Sequence, residues 1–159
     1  MVEGSARGLT AVLTAVAALA FGCTEQSAVG DDPRADPGNP ALVKLGATVY
    51  AQQCASCHGA RLEGQPDWRT RHANGRLPAP PHDESGHTWH HPDYVLFAIT
   101  RNGMLPPYAP KGYESDMPGF AGTLPDADIW AVLAYLKSHW TSPAVREARA
   151  EMLSQSRRR

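Results

Sequence analysis

Neither sign of charge dominates this chain. Fifteen Lys and Arg stand against sixteen Asp and Glu, a net charge of −1. That balance gives no global electrostatic case for a nucleic-acid partner. Cysteine is scarce, with three residues at positions 23, 54 and 57, too few for a closed four-cysteine zinc site. Aromatics reach only 8%, while Pro and Gly number 14 each. A small loop-rich domain of this composition usually needs a staple beyond its apolar core. The apolar run from Leu9 to Phe21 is too short to read as a membrane span. No Ser-His-Asp set, paired carboxylates or Gly-rich phosphate loop stands out, so no hydrolytic or nucleotide-binding chemistry is indicated.

What is present is Cys54-Ala55-Ser56-Cys57-His58-Gly59. Two cysteines three apart lie on one side of a helical turn, and a histidine follows at once. The spacing suits covalent haem attachment: each thiol adds to a vinyl group, and His58 is placed to ligate the iron. A zinc pair and a thioredoxin-like dithiol are the alternatives. The first lacks further cysteine ligands, and the second lacks a βαβ pattern around the motif. A covalent haem would also supply the missing staple.

Around this motif the chain divides into four parts. Residues 1–23 read as an export signal, with Arg7 ahead of the apolar run. The run closes on Ala20-Phe21-Gly22-Cys23, similar to a lipoprotein cleavage box in which Cys23 becomes lipid-modified. Ordinary cleavage nearby or an uncleaved anchor are the rival readings. Residues 24–40 carry Pro33, Pro37 and Pro40 without apolar periodicity and predict a flexible tether. Residues 41–142 form the expected domain. Its first helix starts at Ala41, with Leu42, Leu45 and Val49 on one face and Gly46 inside it, which points to a close helix crossing. Pro92 to Arg101 predicts a short core helix. A last helix is expected from Pro125 to Ser142, capped by Thr123 and striped by Ile129, Leu133, Leu136 and Trp140. Residues 143–159 remain as a polar extension, helical in part, ending in three arginines.

Three segments together resemble a class I c-type cytochrome: Gly46-x-x-x-Tyr50-x-x-x-Cys54-x-x-Cys57-His58, Met117-Pro118-x-Phe120, and Val132-Leu133-Ala134-Tyr135-Leu136-Lys137. The resemblance spans residues 41–141. It implies an all-α fold in which the first and last helices cross around one covalent haem, with long irregular loops. Gly46 and Tyr50 would meet Val132 and Tyr135 at that crossing. It further implies that a loop-proline carbonyl accepts from the second ring nitrogen of His58. Pro80 is the best match and Pro81 the second, although His82 stands where the family usually has leucine.

The long loop 60–91 is expected to wrap the haem edge. Trp89 is a candidate for a propionate through its indole N–H, and Arg69 and Arg71 are candidates for the same anionic groups. His82, His87, His90 and His91 raise a second metal site, which no helical ligand spacing supports. The sixth iron ligand is expected to be Met117, held extended by Pro118 in the loop before the last helix; Met104 is its rival. A haem bound on both faces leaves no substrate site, so the expected function is one-electron transfer between redox proteins, not enzyme catalysis. The expected location is the periplasmic side of a membrane, anchored through lipid or a partner. A haem-bearing subunit of an oxidase or dehydrogenase, or an open-site ligand-binding haem protein, are the other readings.

Overall fold

The computed structural model of the protein describes Met1 and residues 31–158. The expected export segment, Cys23 and residues 24–30 lie outside the described residues. Among those described there are five α-helices and no strand: α1 (Pro40–Gln53), α2 (Ala55–His58), α3 (Asp93–Asn102), α4 (Asp126–Lys137) and α5 (Pro143–Ser156). Short 3-10 turns add Pro33–Ala35 and Thr88–His90. No helix among them is long and apolar enough to cross a membrane.

Helix α1 begins where its capping chemistry says it should. The Asn39 side chain accepts from the N–H groups of Ala41 and Leu42, and Pro40 occupies the first turn, where its missing N–H costs nothing. Gly46, Val49 and Tyr50 are the buried positions, whereas Leu45 is 41% exposed. The buried face is therefore centred on the glycine, and Leu45 lies off it.

The reason is the crossing with α4. A Cβ on Gly46 would sit 1.9 Å from the Ala131 carbonyl oxygen and 2.8 Å from the Tyr135 Cβ. Only glycine allows that approach. One turn on, Tyr50 packs against Tyr135 with ring centroids 5.4 Å apart. The aromatic half of the anticipated pairing holds, but the glycine meets the Ala131 backbone.

Helix α4 is buried nearly all round, from Ile129 to Ala134 and again at Leu136 and Lys137. Its faces are covered by α1, by α3 and by the Pro33–Ala35 turn. A helix enclosed in this way needs no amphipathic stripe. Its start also differs from expectation: Pro125 is the N-cap, without a side-chain cap, and Thr123 lies in the preceding turn. The helix stops at Lys137, so Trp140 is buried from the turn that follows.

The largest departures are at the two edges of the domain. Asp31 to Asn39, expected within a tether, is mostly exposed but anchored: Ala35 is fully buried and Arg34 lies 4.1 Å over the Trp130 ring. Helix α5, expected as part of a polar extension, buries Val145, Arg149 and Leu153 along one face. Both segments close on a single buried group. Asp93, 0% exposed at the start of α3, accepts from Lys137 Nζ at 2.7 Å and Arg149 Nη2 at 2.6 Å. Its Oδ2 also takes the Asp32 backbone N–H at 2.7 Å. Asp31 pairs with the same two cations, at 2.9 and 2.6 Å. Arg149 further donates to the carbonyls of Trp89 and His91. Two buried cations facing two carboxylates are neutral together, which is the condition for keeping charge inside a fold.

Candidate haem site

The thiol-bearing turn is an extension of α1. Cys54 N–H still donates to Tyr50 O at 2.9 Å, and the N–H groups of Cys57 and His58 both return to Cys54 O. Gly59 then ends α2 at φ +81°, a conformation that favours glycine. Tyr50 Oη donates to Gly59 O at 2.8 Å, tying the turn back to the helix crossing. Cys54 is half-buried and Cys57 exposed, and both are unpaired thiols. Burial first, and Cys57 second, push the Cys54 thiol up to about 11.

His58 is buried, and its Nδ1–H donates to the carbonyl of Pro80 at 2.8 Å. A carbonyl can only accept, so the proton is on Nδ1 and the Nε2 lone pair is left for a metal. Burial lowers the His58 pKa, and the Pro80 bond opposes this in part. Pro81, the second candidate for this contact, instead accepts from Thr88 Oγ1 at 3.4 Å.

The loop is folded so that Pro80 cannot drift. Gly64 N–H donates to His58 O, Gln65 N–H to Ala79 O, and Ala79 N–H to the Gln65 side chain. A Cβ on Gly86 would lie 2.1 Å from Pro81 O, so the return of the loop packs directly on the proline pair.

The arrangement brings in a residue whose role sequence reasoning missed. His82 stacks on His58, ring centroids 3.9 Å apart and planes 25° from parallel. Its Nδ1 meets Thr88 Oγ1 at 2.8 Å. Its backbone is held on both sides, its N–H by Leu62 O and its carbonyl by Trp140 Nε1 at 2.9 Å. Burial, then the neighbouring His58 and His87, hold His82 well below the ordinary imidazole range. It is a neutral ring pressed on the face of the proximal histidine. The one signal in the sequence was a histidine two residues after Pro80.

The other candidate residues of this region make contacts within the loop. Trp89 Nε1 donates to Glu84 O at 3.3 Å and its ring stacks on His90 at 3.7 Å, so the N–H proposed for a propionate is engaged by the loop's own backbone. Arg69 lies over Trp68, and Arg71 donates to Gly75 O at 2.5 Å. His87 stacks on Trp68 and meets His91 edge-on. Among the described residues no group of three or more His, Cys, Asp or Glu is arranged to hold a metal ion.

Met117 and Met104 are both half-buried and lie near the C-terminal end of α3. Beyond Met117, the chain is strapped to that end: Phe120 N–H donates to Thr100 O and Ala121 N–H to Arg101 O. Gly119 packs so tightly there that a Cβ would lie 2.7 Å from Asn102 C.

A family model described as Cytochrome c matches residues 43–140. The chain belongs to the cytochrome c family. Comparison with curated protein sequences returns no match. As a member of this family the cytochrome carries covalent haem c, and Cys54, Cys57 and His58 form its Cys-x-x-Cys-His attachment motif. The donor set fits that group. Two free thiols are placed one turn apart, and the next residue is an imidazole whose tautomer leaves the correct nitrogen available.

Proposed function

We propose that this cytochrome is a one-electron carrier whose iron is held between His58 and Met117, working outside the cytoplasm in a membrane-associated redox chain. The observation that carries the axial assignment is the strap after Met117, which fixes this methionine's loop against α3 while Pro118 holds the residue extended. The haem supplies one-electron redox chemistry when bound. The protein's part is to hold it at fixed geometry and potential. Cys54 and Cys57 anchor it, and His58 offers Nε2 because Pro80 accepts the Nδ1 proton. A thioether from Met117 would favour the reduced iron and raise the potential. With His58 and Met117 both supplied by the chain, water and substrate would be kept from the iron.

The location rests on the apolar run and Cys23. With Asp31 pinned by Lys137 and Arg149, the chain between Cys23 and the packed domain reaches about 28 Å at full extension. A lipid on Cys23 would hold the carrier close to a membrane surface, within range of a membrane-bound donor or acceptor.

Met117→Ala tests the reading. The oxidised parent should show a weak sulfur-to-iron charge-transfer band at the far-red end of the visible spectrum, and the variant should lose it. The reduced variant should bind carbon monoxide while the parent scarcely does. The midpoint potential should fall, each 59 mV being a tenfold change in a one-electron equilibrium. Ready carbon monoxide binding by the parent would replace the carrier with a ligand-binding haem protein. Loss of the band in Met104→Ala alone would move the ligand to Met104.

A further inference from the structure

The chain just ahead of Met117 is held from across the molecule by one turn. Residues 71–76 close on themselves: His72 N–H donates to Arg76 O, Gly75 N–H to His72 O, and Arg71 Nη1 to Gly75 O. From this turn Arg76 Nε reaches Glu114 Oε2 at 3.4 Å, and its Nη1 reaches Asp116 Oδ1. Arg71 lies 5.5 Å over the Tyr113 ring. The turn thus supplies three ties to residues 113–116, and one of them grips the residue immediately before Met117. Asn74 Oδ1 in turn accepts the Arg76 N–H, which fixes the base of the arginine. The same loop runs on through Leu77 and Pro78 to Pro80, the acceptor for His58. One stretch of chain therefore touches His58 through the Pro80 carbonyl and the residue before Met117 through the Arg76 guanidinium.

We propose that the turn 71–76 is an electrostatic latch, with Arg76 as a positioning residue that holds Met117 in place for iron ligation. The proposal rests on Met117 being the sixth ligand. A single guanidinium bridging two carboxylates limits the loop in two directions at once, which a lone ion pair does not. Because the cluster is solvent-accessible, with the Arg76 side chain 36% exposed, its hold is set by ionic strength. The latch is then the reversible end of the strap, and the backbone pairing at Phe120 and Ala121 is the permanent one. Opening it would free the loop from the Asp116 side without unfolding α3 or α4.

The test titrates imidazole, a strong competing iron ligand, into the oxidised haem-loaded protein at low and high salt. Imidazole enters only when the sulfur is off, so its apparent affinity reports the open fraction. Arg76→Gln should raise that affinity about fivefold at low salt, a change of the size that exposed ion-pair clusters support. The parent in 1 M salt should approach the variant, and the variant itself should respond little to salt. Exchanging the charges, Arg76→Glu with Asp116→Arg, should restore most of the parental behaviour, which a merely disturbed loop would not do. If Arg76→Gln matches the parent in affinity and salt response while Met117→Ala takes up imidazole readily, the latch is overturned and the ligand assignment stands. If Met117→Ala also matches the parent, Met117 is not the ligand and both fall.

Discussion

Removing the Asp93 carboxylate should be among the most damaging side-chain truncations in the domain, although it touches neither thiol nor axial residue. Asp93 is fully buried, and Lys137 and Arg149, which it neutralises, are 4% and 7% exposed. Asp93→Ala leaves those two cations with Asp31, itself 51% exposed, as their remaining carboxylate partner. It also orphans the Asp32 N–H. Breaking a buried pair from one side costs about 3–5 kcal/mol, because an uncompensated charge remains. Against a total stability of about 5–15 kcal/mol that is a large fraction. At about 4 °C per kcal/mol for a domain of this size, the melting temperature should drop by about 12–20 °C. Thermal melts followed by far-ultraviolet circular dichroism of the haem-loaded protein measure it. Replacing the three buried charges together, Asp93→Leu with Lys137→Met and Arg149→Met, should recover most of the loss, since apolar groups of similar volume often substitute for buried ionic groups and the remaining carboxylate, Asp31, is half exposed. A drop of less than about 4 °C in Asp93→Ala would refute the claim that this cluster pins the N-terminal segment and α5. So would a triple variant as unstable as the single one.

Gly46→Ala places a methyl group where the Ala131 carbonyl already stands, so overpacking should cost about 1–3 kcal/mol or more, read as a lower denaturation midpoint with an unchanged slope. The double change Cys54→Ser with Cys57→Ser should yield protein that releases its haem into acidified acetone; haem retained through that extraction would contradict thioether attachment at these positions. Burial tends to raise the Asp31 pKa, but its bonds to Lys137 and Arg149 dominate and lower it below the ordinary 3.8. A carboxylate with a depressed folded pKa contributes stability above its unfolded value and loses it as pH falls through the folded one. The melting temperature should therefore fall as pH drops below about 4, and Asp31→Asn should fall less steeply over that range while starting lower at pH 7.

The attachment site was legible because its chemistry is local. Cysteines three apart with a histidine next to the second lie within one helical turn, and no distant residue is needed to place them there. Gly46 was legible for a similar reason: an internal helix glycine carries a cost that a close crossing explains. Which backbone it would meet was not, since the register of α1 on α4 is decided by how both helices fill the space between them, and the contact fell on Ala131. Periodicity misled at Leu45, because it takes the apolar stripe for the buried face and that face is centred on Gly46; at the start of α4 the misleading signal was Thr123, since Pro125 is the N-cap.

The edges of the domain were decided only in three dimensions. Residues 31–39 have the composition of a linker and α5 that of a solvated helix. Each owes its place to polar contacts with partners at least 56 positions away: Asp32 N–H and Arg149 both meet Asp93, and Asp31 meets Lys137 and Arg149. The stack of His82 on His58 is of the same kind, set by loop bonds to Leu62, Thr88 and Trp140. A motif within one turn of helix fixes its own geometry, so sequence alone determined the thiols, the proximal histidine and the cofactor they hold. A buried ion pair, a stacked ring or a loop latch exists only once the chain has brought its halves together, and tertiary structure alone decided those.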